Sequence, residues 1–254
     1  MRVANEQASG AKYSFIGDLG GGMFMYYIEQ NSIRSRIKFE MVQKELKKTR
    51  GRPRAYDPEQ ALADARDAFW RSGYAGTSLD ALSEATGMNR PSLYGAFGDK
   101  HAIYVTALKR YIEVNRQSMD DALAADLPLP QALRRIYDLA LSLYFPLDAD
   151  PLGCFLIGTA TTEAASDPEV RELLGTGLRS FDQAFEDRLK RAKANGELPA
   201  DAAPAVLAKV ASAFLHTLAV RSRAGDSRAS LRATAAAGIA LICGPAADGK
   251  KSRR

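Results

Sequence analysis

TSLDALSEATGMNRPSLYGAFGDKHAIY, residues 77–104, predicts two short helices joined by a glycine turn, then a loop and the start of a third helix. Thr77 or Ser78 is placed to cap the first, whose Leu79, Leu82 and Ala85 share one face. Gly87 stops it and accepts a positive φ. Asn89 caps the second helix, Pro91 sits in its first turn, and Leu93 and Phe97 point inward at i, i+4 spacing. Gly98-Asp99 closes it. The remaining face carries small and hydrogen-bonding side chains. A helix-turn-helix is built this way: one helix lies across the DNA backbone and a short, capped second helix enters the major groove. The competing reading is a surface helical hairpin with no ligand.

The side chains divide by chemistry. Arg90 can donate a bidentate pair to guanine O6 and N7, Pro91 offers apolar contact to a thymine methyl, and Ser92 bonds a base or a phosphate. Tyr94 and Lys100 are expected to hold phosphates, with Thr77 reaching the backbone from the preceding helix and Asn89 at the capped end facing DNA. Ahead of them Lys44, Lys47, Lys48, Arg50, Arg52 and Arg54 form a basic arm, from which Arg52 and Arg54 are expected to reach the adjacent minor groove. The net charge of +5 is modest, so its clustering carries the argument rather than its size. A second cluster, Lys250, Lys251, Arg253 and Arg254, reads first as a solvated tail.

Outward from this motif the chain is predicted to be helix after helix, with no internal repeat. Asp57-Pro58-Glu59-Gln60 combines an N-cap, a proline at the first helical position and a capping-box glutamine. Ala61, Leu62, Ala65, Ala68 and Phe69 follow on one face, and Gly73 is expected to end the helix. Ile103, Ala107, Leu108 and Tyr111 mark a fourth. Further helices are expected over 130–144, 154–165, from Asp167-Pro168-Glu169 to near Asn195-Gly196, 203–223 with Leu207, Val210, Phe214 and Leu218, and 230–242 with Leu231, Ala235, Ile239 and Ile242. No segment keeps a sustained period of two, so the fold class is all-α. The expected domains are an extension with the basic arm (1–50), a helix-turn-helix head (51–101), a helical ligand-binding and dimerisation domain (102–245) and a basic tail (246–254). Residues 1–40 lack helical periodicity. Met41 directly precedes the basic arm and is expected to be the native start, with 1–40 upstream sequence or a disordered extension.

Two cysteines, Cys154 and Cys243, exclude a disulfide-rich scaffold and have no metal-ligand spacing. No metal or cofactor is expected. No apolar run approaches the ~18 residues of a membrane helix, and no secretion signal opens the chain, so a cytoplasmic protein is expected. With His101 and His216 as its only histidines, and no nucleophile elbow or phosphate-binding loop, the chain is not expected to be an enzyme.

At these residues the chain resembles the TetR family of ligand-responsive transcriptional regulators. The resemblance rests on Ala65 and Phe69, Gly73-Tyr74, Thr77-Ser78-Leu79, Ala85 and Gly87, Ser92-Leu93-Tyr94, Phe97 and Lys100, within residues 51–104. The stretches Gly153-Cys154-Phe155-Leu156 and Asp167-Pro168-Glu169-Val170 are similar to one branch of that family. Gly95 and Ala96 depart from the bulky residues many members carry there, which shifts the expected readout toward Arg90, Pro91 and Ser92.

The resemblance implies a homodimer on a palindromic double-stranded operator, with recognition helices roughly 34 Å apart. It implies that the last two helices form a four-helix bundle with their twofold mates, for which the small residues of 205–219 and 233–240 are suited. It implies a small-molecule effector bound among the middle helices and, by family default, repression. Tyr137, Tyr144, Phe155, Thr159, Thr162, Phe181, Phe185 and His216 mix apolar area with hydrogen-bonding groups and are the candidate pocket residues, each also a plausible core residue. Two other readings keep the same DNA head: a thiol sensor through Cys154, near a helix N-terminus, and a sequence-independent architectural DNA binder.

Overall fold

The computed structural model describes the backbone of residues 12–19 and 22–28, and the chain over 56–146 and 150–244. It divides into two units, Met1–Pro53 and Arg54–Arg254. In the first, β1 (Lys12–Leu19) pairs antiparallel with β2 (Gly22–Ile28), Lys12 opposite Ile28 and Leu19 opposite Gly22, with a register shift between Phe15 and Asp18. This pair departs from the expectation that no strand forms. Its residues are rich in aromatics, which suit strands, but the apolar positions do not alternate strictly, so a period-two test passes over them. Met41, the basic arm with Arg52 and Arg54, and the basic tail lie outside the described residues.

The second unit is helical throughout its described residues. Its helices are α1 (Pro58–Gly76), α2 (Leu79–Thr86), α3 (Arg90–Phe97), α4 (Lys100–Ala124), α5 (Leu129–Tyr144), a π-helical stretch Leu156–Ala160 running into α6 (Thr161–Glu163), α7 (Pro168–Ala194), α8 (Pro204–Arg223) and α9 (Arg228–Cys243). Polar caps start most of them. Asp57 accepts from the Glu59 N–H at 2.9 Å, Asp99 from Ala102 at 2.8 Å, and Asp167 from Glu169 at 2.9 Å. Gly73 (φ 72°, ψ 171°) interrupts α1 rather than ending it; one more turn follows to Gly76. Pro130 lies in the first turn of α5, where its missing N–H would have no helical partner in any case.

α1 to α3 and the first turns of α4 enclose Phe69, Leu82, Leu93, Ile103 and Tyr104, all essentially without solvent contact. α4, 25 residues and so about 37 Å long, runs on into the larger bundle, where it packs on α7 and α5. There α7 packs on α8, α8 on α9, and α9 back on α5. Of the apolar series expected in α8, only Leu218 is fully buried; Val210 is 36% exposed. The buried stripe is made instead of small residues, Ala208, Ala211, Ser212, Ala219 and Ser222, with Leu215 and Leu218. Small residues let neighbouring helices approach closely. At Gly238 of α9 a Cβ would stand 2.7 Å from the Phe214 ring.

α8 is the one helix among the described residues long and apolar enough to cross a membrane by composition, with a mean hydropathy of 1.2. Its open apolar residues recur at Val206, Val210, Ala213 and Val220, a 3–4 spacing that makes one outward face.

Gly153 is a second place where glycine is required. Its φ is +67°, and a Cβ there would stand 2.5 Å from the Ala219 carbonyl oxygen. Gly153→Val is expected to lower stability by about 3 kcal/mol or more, since positive φ and overpacking add. Thermal unfolding monitored by circular dichroism checks this. A loss under 1 kcal/mol would mean that the 150–155 loop is not pinned to α8.

Candidate nucleic-acid interface

The turn between α2 and α3 has the geometry the sequence predicts. Ser78, not Thr77, caps α2: its Oγ accepts from the Ala81 N–H at 3.1 Å. Gly87 adopts the left-handed conformation (φ 64°, ψ 13°) and ends the helix. Asn89 Oδ1 accepts from the Ser92 N–H at 2.9 Å and so starts α3 two residues later. Leu93 is buried and Phe97 is half-buried, which anchors α3 by one face. The other face is open: Asn89, Arg90, Pro91, Ser92, Tyr94 and Gly95 are all exposed. A Cβ at Gly95 would meet nothing within 4 Å. No packing demand inside the protein therefore explains the glycine, which leaves the backbone there free for close approach by a ligand.

Two of the expected cations have partners. Arg90 donates from Nε to Asp80 Oδ1 at 2.9 Å, and Nη2 binds the same oxygen. Both side chains are largely solvent-exposed, and exposed pairs of this kind contribute at most about 1 kcal/mol. The pair orients the guanidinium without committing it. Lys100 Nζ lies 4.4 Å from the centre of the Tyr74 ring, a cation–π contact at the start of α4. Burial, and then the charges of Asp99, Glu163 and Asp167, hold the Tyr74 phenol protonated by raising its pKa.

Thr77 needs correction. It is buried, and its hydroxyl donates to the Gly73 carbonyl at 2.7 Å while its N–H bonds the Tyr74 carbonyl. It ties off the α1 kink and is not offered to a DNA backbone. Asp80, which holds Arg90, was not legible: the two are ten residues apart, and only the angle between α2 and α3 brings them together.

Six of the eight candidate pocket residues are buried: Tyr137, Tyr144, Phe155, Thr159, Phe181 and Phe185. Phe155 packs with Trp70, Tyr104 and Tyr111 in an aromatic cluster that joins α1 and α4 to the π-helical stretch. Thr159 donates to the Phe155 carbonyl and accepts from Tyr104 Oη at 2.8 Å. Tyr137 donates to the Ala211 carbonyl at 3.1 Å and lies by Phe185. Phe181 and Tyr144 are buried, and Thr162 is exposed. His216 Nε2 and the buried Ser212 Oγ, one turn apart on α8, have no hydrogen-bond partner among the described residues. Burial outweighs the nearby Asp182 charge and lowers the His216 pKa. None of the eight lines either of two concavities, of about 340 and 260 Å³, found elsewhere on the bundle.

Cys154 is buried and accepts a hydrogen bond from Tyr111 Oη at 3.4 Å. Burial pushes its thiol pKa up despite that bond and despite bonds from backbone N–H groups. A reactive cysteine needs an accessible thiolate, so this environment disfavours the thiol-sensor reading. Among the described residues no cluster of His, Cys, Asp and Glu is arranged to hold a metal.

Comparison with known proteins gives matches over both parts of the helical unit. The profile described as "Bacterial regulatory proteins, tetR family" matches residues 61–107, and that described as "Tetracyclin repressor-like, C-terminal domain" matches 131–237. The HTH-type transcriptional repressor ComR of Escherichia coli (strain K12) is 29% identical over 182 residues, 72% of this chain and 87% of that one. The HTH-type transcriptional regulator YezE of Bacillus subtilis (strain 168) is 32% identical over 149 residues, 58% of this chain and 76% of that one. Among solved structures, a cysteine-substituted TetR family regulator CifR, in complex with 26 base pairs of double-strand operator DNA, superposes with a TM-score of 0.68 at 30% identity. The match covers 74% of this chain and 98% of that one.

Proposed function

The chain belongs to the TetR family of bacterial transcriptional regulators, and from that premise we propose that it is a sequence-specific, dimeric repressor released from its operator by a small-molecule effector. The observation that carries the DNA-binding part is the open face of α3, capped by Asn89 and anchored by Leu93. In this reading Arg90, Pro91 and Ser92 meet base edges in the major groove. Asn89, Tyr94 and Lys100 hold phosphates, and Arg52 and Arg54 follow the adjacent minor groove. Repression is supported by the names of two relatives, ComR and the Escherichia coli BdcR, both called HTH-type transcriptional repressors. Such a protein works where the chromosome is, in the cytoplasm.

The dimer is supported by the outward face of α8. Val206 is 61% exposed and Val220 57%, and Leu241 of α9 is 74% exposed. Apolar residues this open, at coiled-coil spacing along α8 and joined by Leu241 of α9, are suited to a symmetric four-helix bundle.

The test is selection from a random DNA library with the full chain. Enrichment of one palindromic site, with half-sites about one helical turn apart, is expected. Binding with a steep salt dependence but no enriched sequence would favour the architectural reading instead.

A further inference from the structure

The larger concavity lies between the π-helical stretch and the C-terminal end of α8. Its walls include Leu152, Ile157, Gly158, Ala219 and Val220, and Arg223 is the single charged residue in its lining. Several arginines of the helical unit, such as Arg90, Arg116 and Arg188, are paired with a carboxylate. Arg223 is not paired in this way, and it is the one that borders the groove. Among the described residues no carboxylate stands within ion-pair distance of it, and only its Nη1 makes a hydrogen bond.

Its one engaged nitrogen, Nη1, donates to two backbone carbonyls, Trp70 at 3.2 Å and Leu152 at 3.4 Å. Trp70 Nε1 donates to that same Leu152 carbonyl at 3.1 Å. Three segments therefore meet at one guanidinium: the end of α8, the loop before the π-helical stretch, and α1 three residues ahead of its kink at Gly73. Gly158 keeps the groove open beside it, since a Cβ there would stand 3.1 Å from Nη1.

We propose that this groove is the effector site, and that its ligand is a small carboxylate with a short apolar body. The proposal rests on the effector-released repressor reading above. An apolar groove with one orienting cation suits an amphiphilic acid. A carboxylate can take both free nitrogens of Arg223 in a charge-assisted pair, which is stronger than a bond to a neutral carbonyl. Turning toward that ligand moves the guanidinium away from Trp70 and Leu152. α1, the first helix of the DNA head, then loses its tie to α8. A ligand that binds the untied state better lowers operator affinity by that difference.

The chain provides its own probe, because Trp70 is its only tryptophan. Octanoate is titrated into the full-length protein while Trp70 emission is followed, with octanol and octylamine as controls. A saturable change is expected with octanoate, with both controls weaker by about tenfold or more. Arg223→Gln is expected to weaken octanoate by a similar factor and leave octanol unaffected. Gly158→Leu, at an exposed position that does not touch the buried core, is expected to abolish binding by filling the groove. Octanoate binding that is unchanged in either variant would overturn the proposal. So would the lack of any saturable response to octanoate, hexanoate or benzoate. Val220 is shared with the proposed dimer face, so the dimer is verified by light scattering at each end point. Operator binding by the ligand-free protein is scored separately. Its loss counts against the regulator reading, whereas a silent groove with intact operator binding counts against the effector site alone.

Discussion

Arg90→Ala is expected to weaken operator binding by about 10- to 100-fold and to relax sequence preference at one base pair in each half-site, the cost of one bidentate arginine–guanine contact. The free protein holds this guanidinium on Asp80 with both side chains in solvent. Exchanging that partner for guanine costs little, because an exposed ion pair contributes at most about 1 kcal/mol. Asp80→Ala is therefore expected to leave specificity intact and to raise affinity slightly, by removing a competitor and one negative charge. Lys100→Ala is the contrasting case. Its ammonium lies against the Tyr74 ring at the edge of the head, where a phosphate contact is read equally from every sequence. Its loss should weaken all sites alike and lower the salt slope by about one. Competition binding against a set of single-base operator variants separates the two. If Arg90→Ala weakened every variant by the same factor, Arg90 would be a phosphate contact and the assignment of α3's first turn to base readout would fail.

The local features of this head were legible because each rests on chemistry within a few residues. Asn89 and Asp99 cap helices three residues ahead of the N–H they bind, and Gly87 supplies the positive φ of the turn. The choice between Thr77 and Ser78 was not legible. Both are hydroxyl residues able to cap a helix, and only the kink at Gly73 turns Thr77 inward to bond the chain behind it. The candidate pocket poses a related problem. Tyr137, Phe155 and Phe185 have the same composition whether they line a cavity or fill a core, and here they fill it. Arg223 carries no sequence signal at all: its partners are the carbonyls of Trp70 and Leu152, which every residue has, so only the meeting of these three segments in the fold marks the position.

The far end of the bundle is held by one nearly buried charge, and removing it is expected to destabilise the protein strongly. Arg188 of α7 is only 4% exposed. It donates to the Leu127 carbonyl at 2.8 Å and pairs with Glu197, whose carboxylate also accepts from the Leu129 N–H. These contacts clamp the α4–α5 connection to the turn after α7. Arg188→Ala leaves Glu197 and the Leu127 carbonyl without their partner, and breaking such a pair costs about 3–5 kcal/mol. Glu197 keeps about a quarter of its side-chain surface in water, which places the expectation at the lower end, about 3 kcal/mol. For a chain of this size that is a fall in Tm of about 6–12 °C. Replacing both partners, Arg188→Met with Glu197→Gln, should recover most of the loss, because no charge is then left buried and glutamine still accepts from Leu129. The wild type carries a pH signature of the same contact. Burial raises the Glu197 pKa, but the hydrogen bonds from Arg188 and Leu129 and the charge of Arg188 outweigh it and hold the carboxyl below its ordinary value. A depressed folded pKa contributes stability above the unfolded value, about 4.3, and that contribution disappears as acid titrates Glu197 through its folded pKa. The stability gap between wild type and the Met/Gln double variant should therefore be constant above pH 5 and narrow below it. Chemical denaturation at several pH values measures this, and a gap that does not change with acid would assign the clamp to packing rather than to charge.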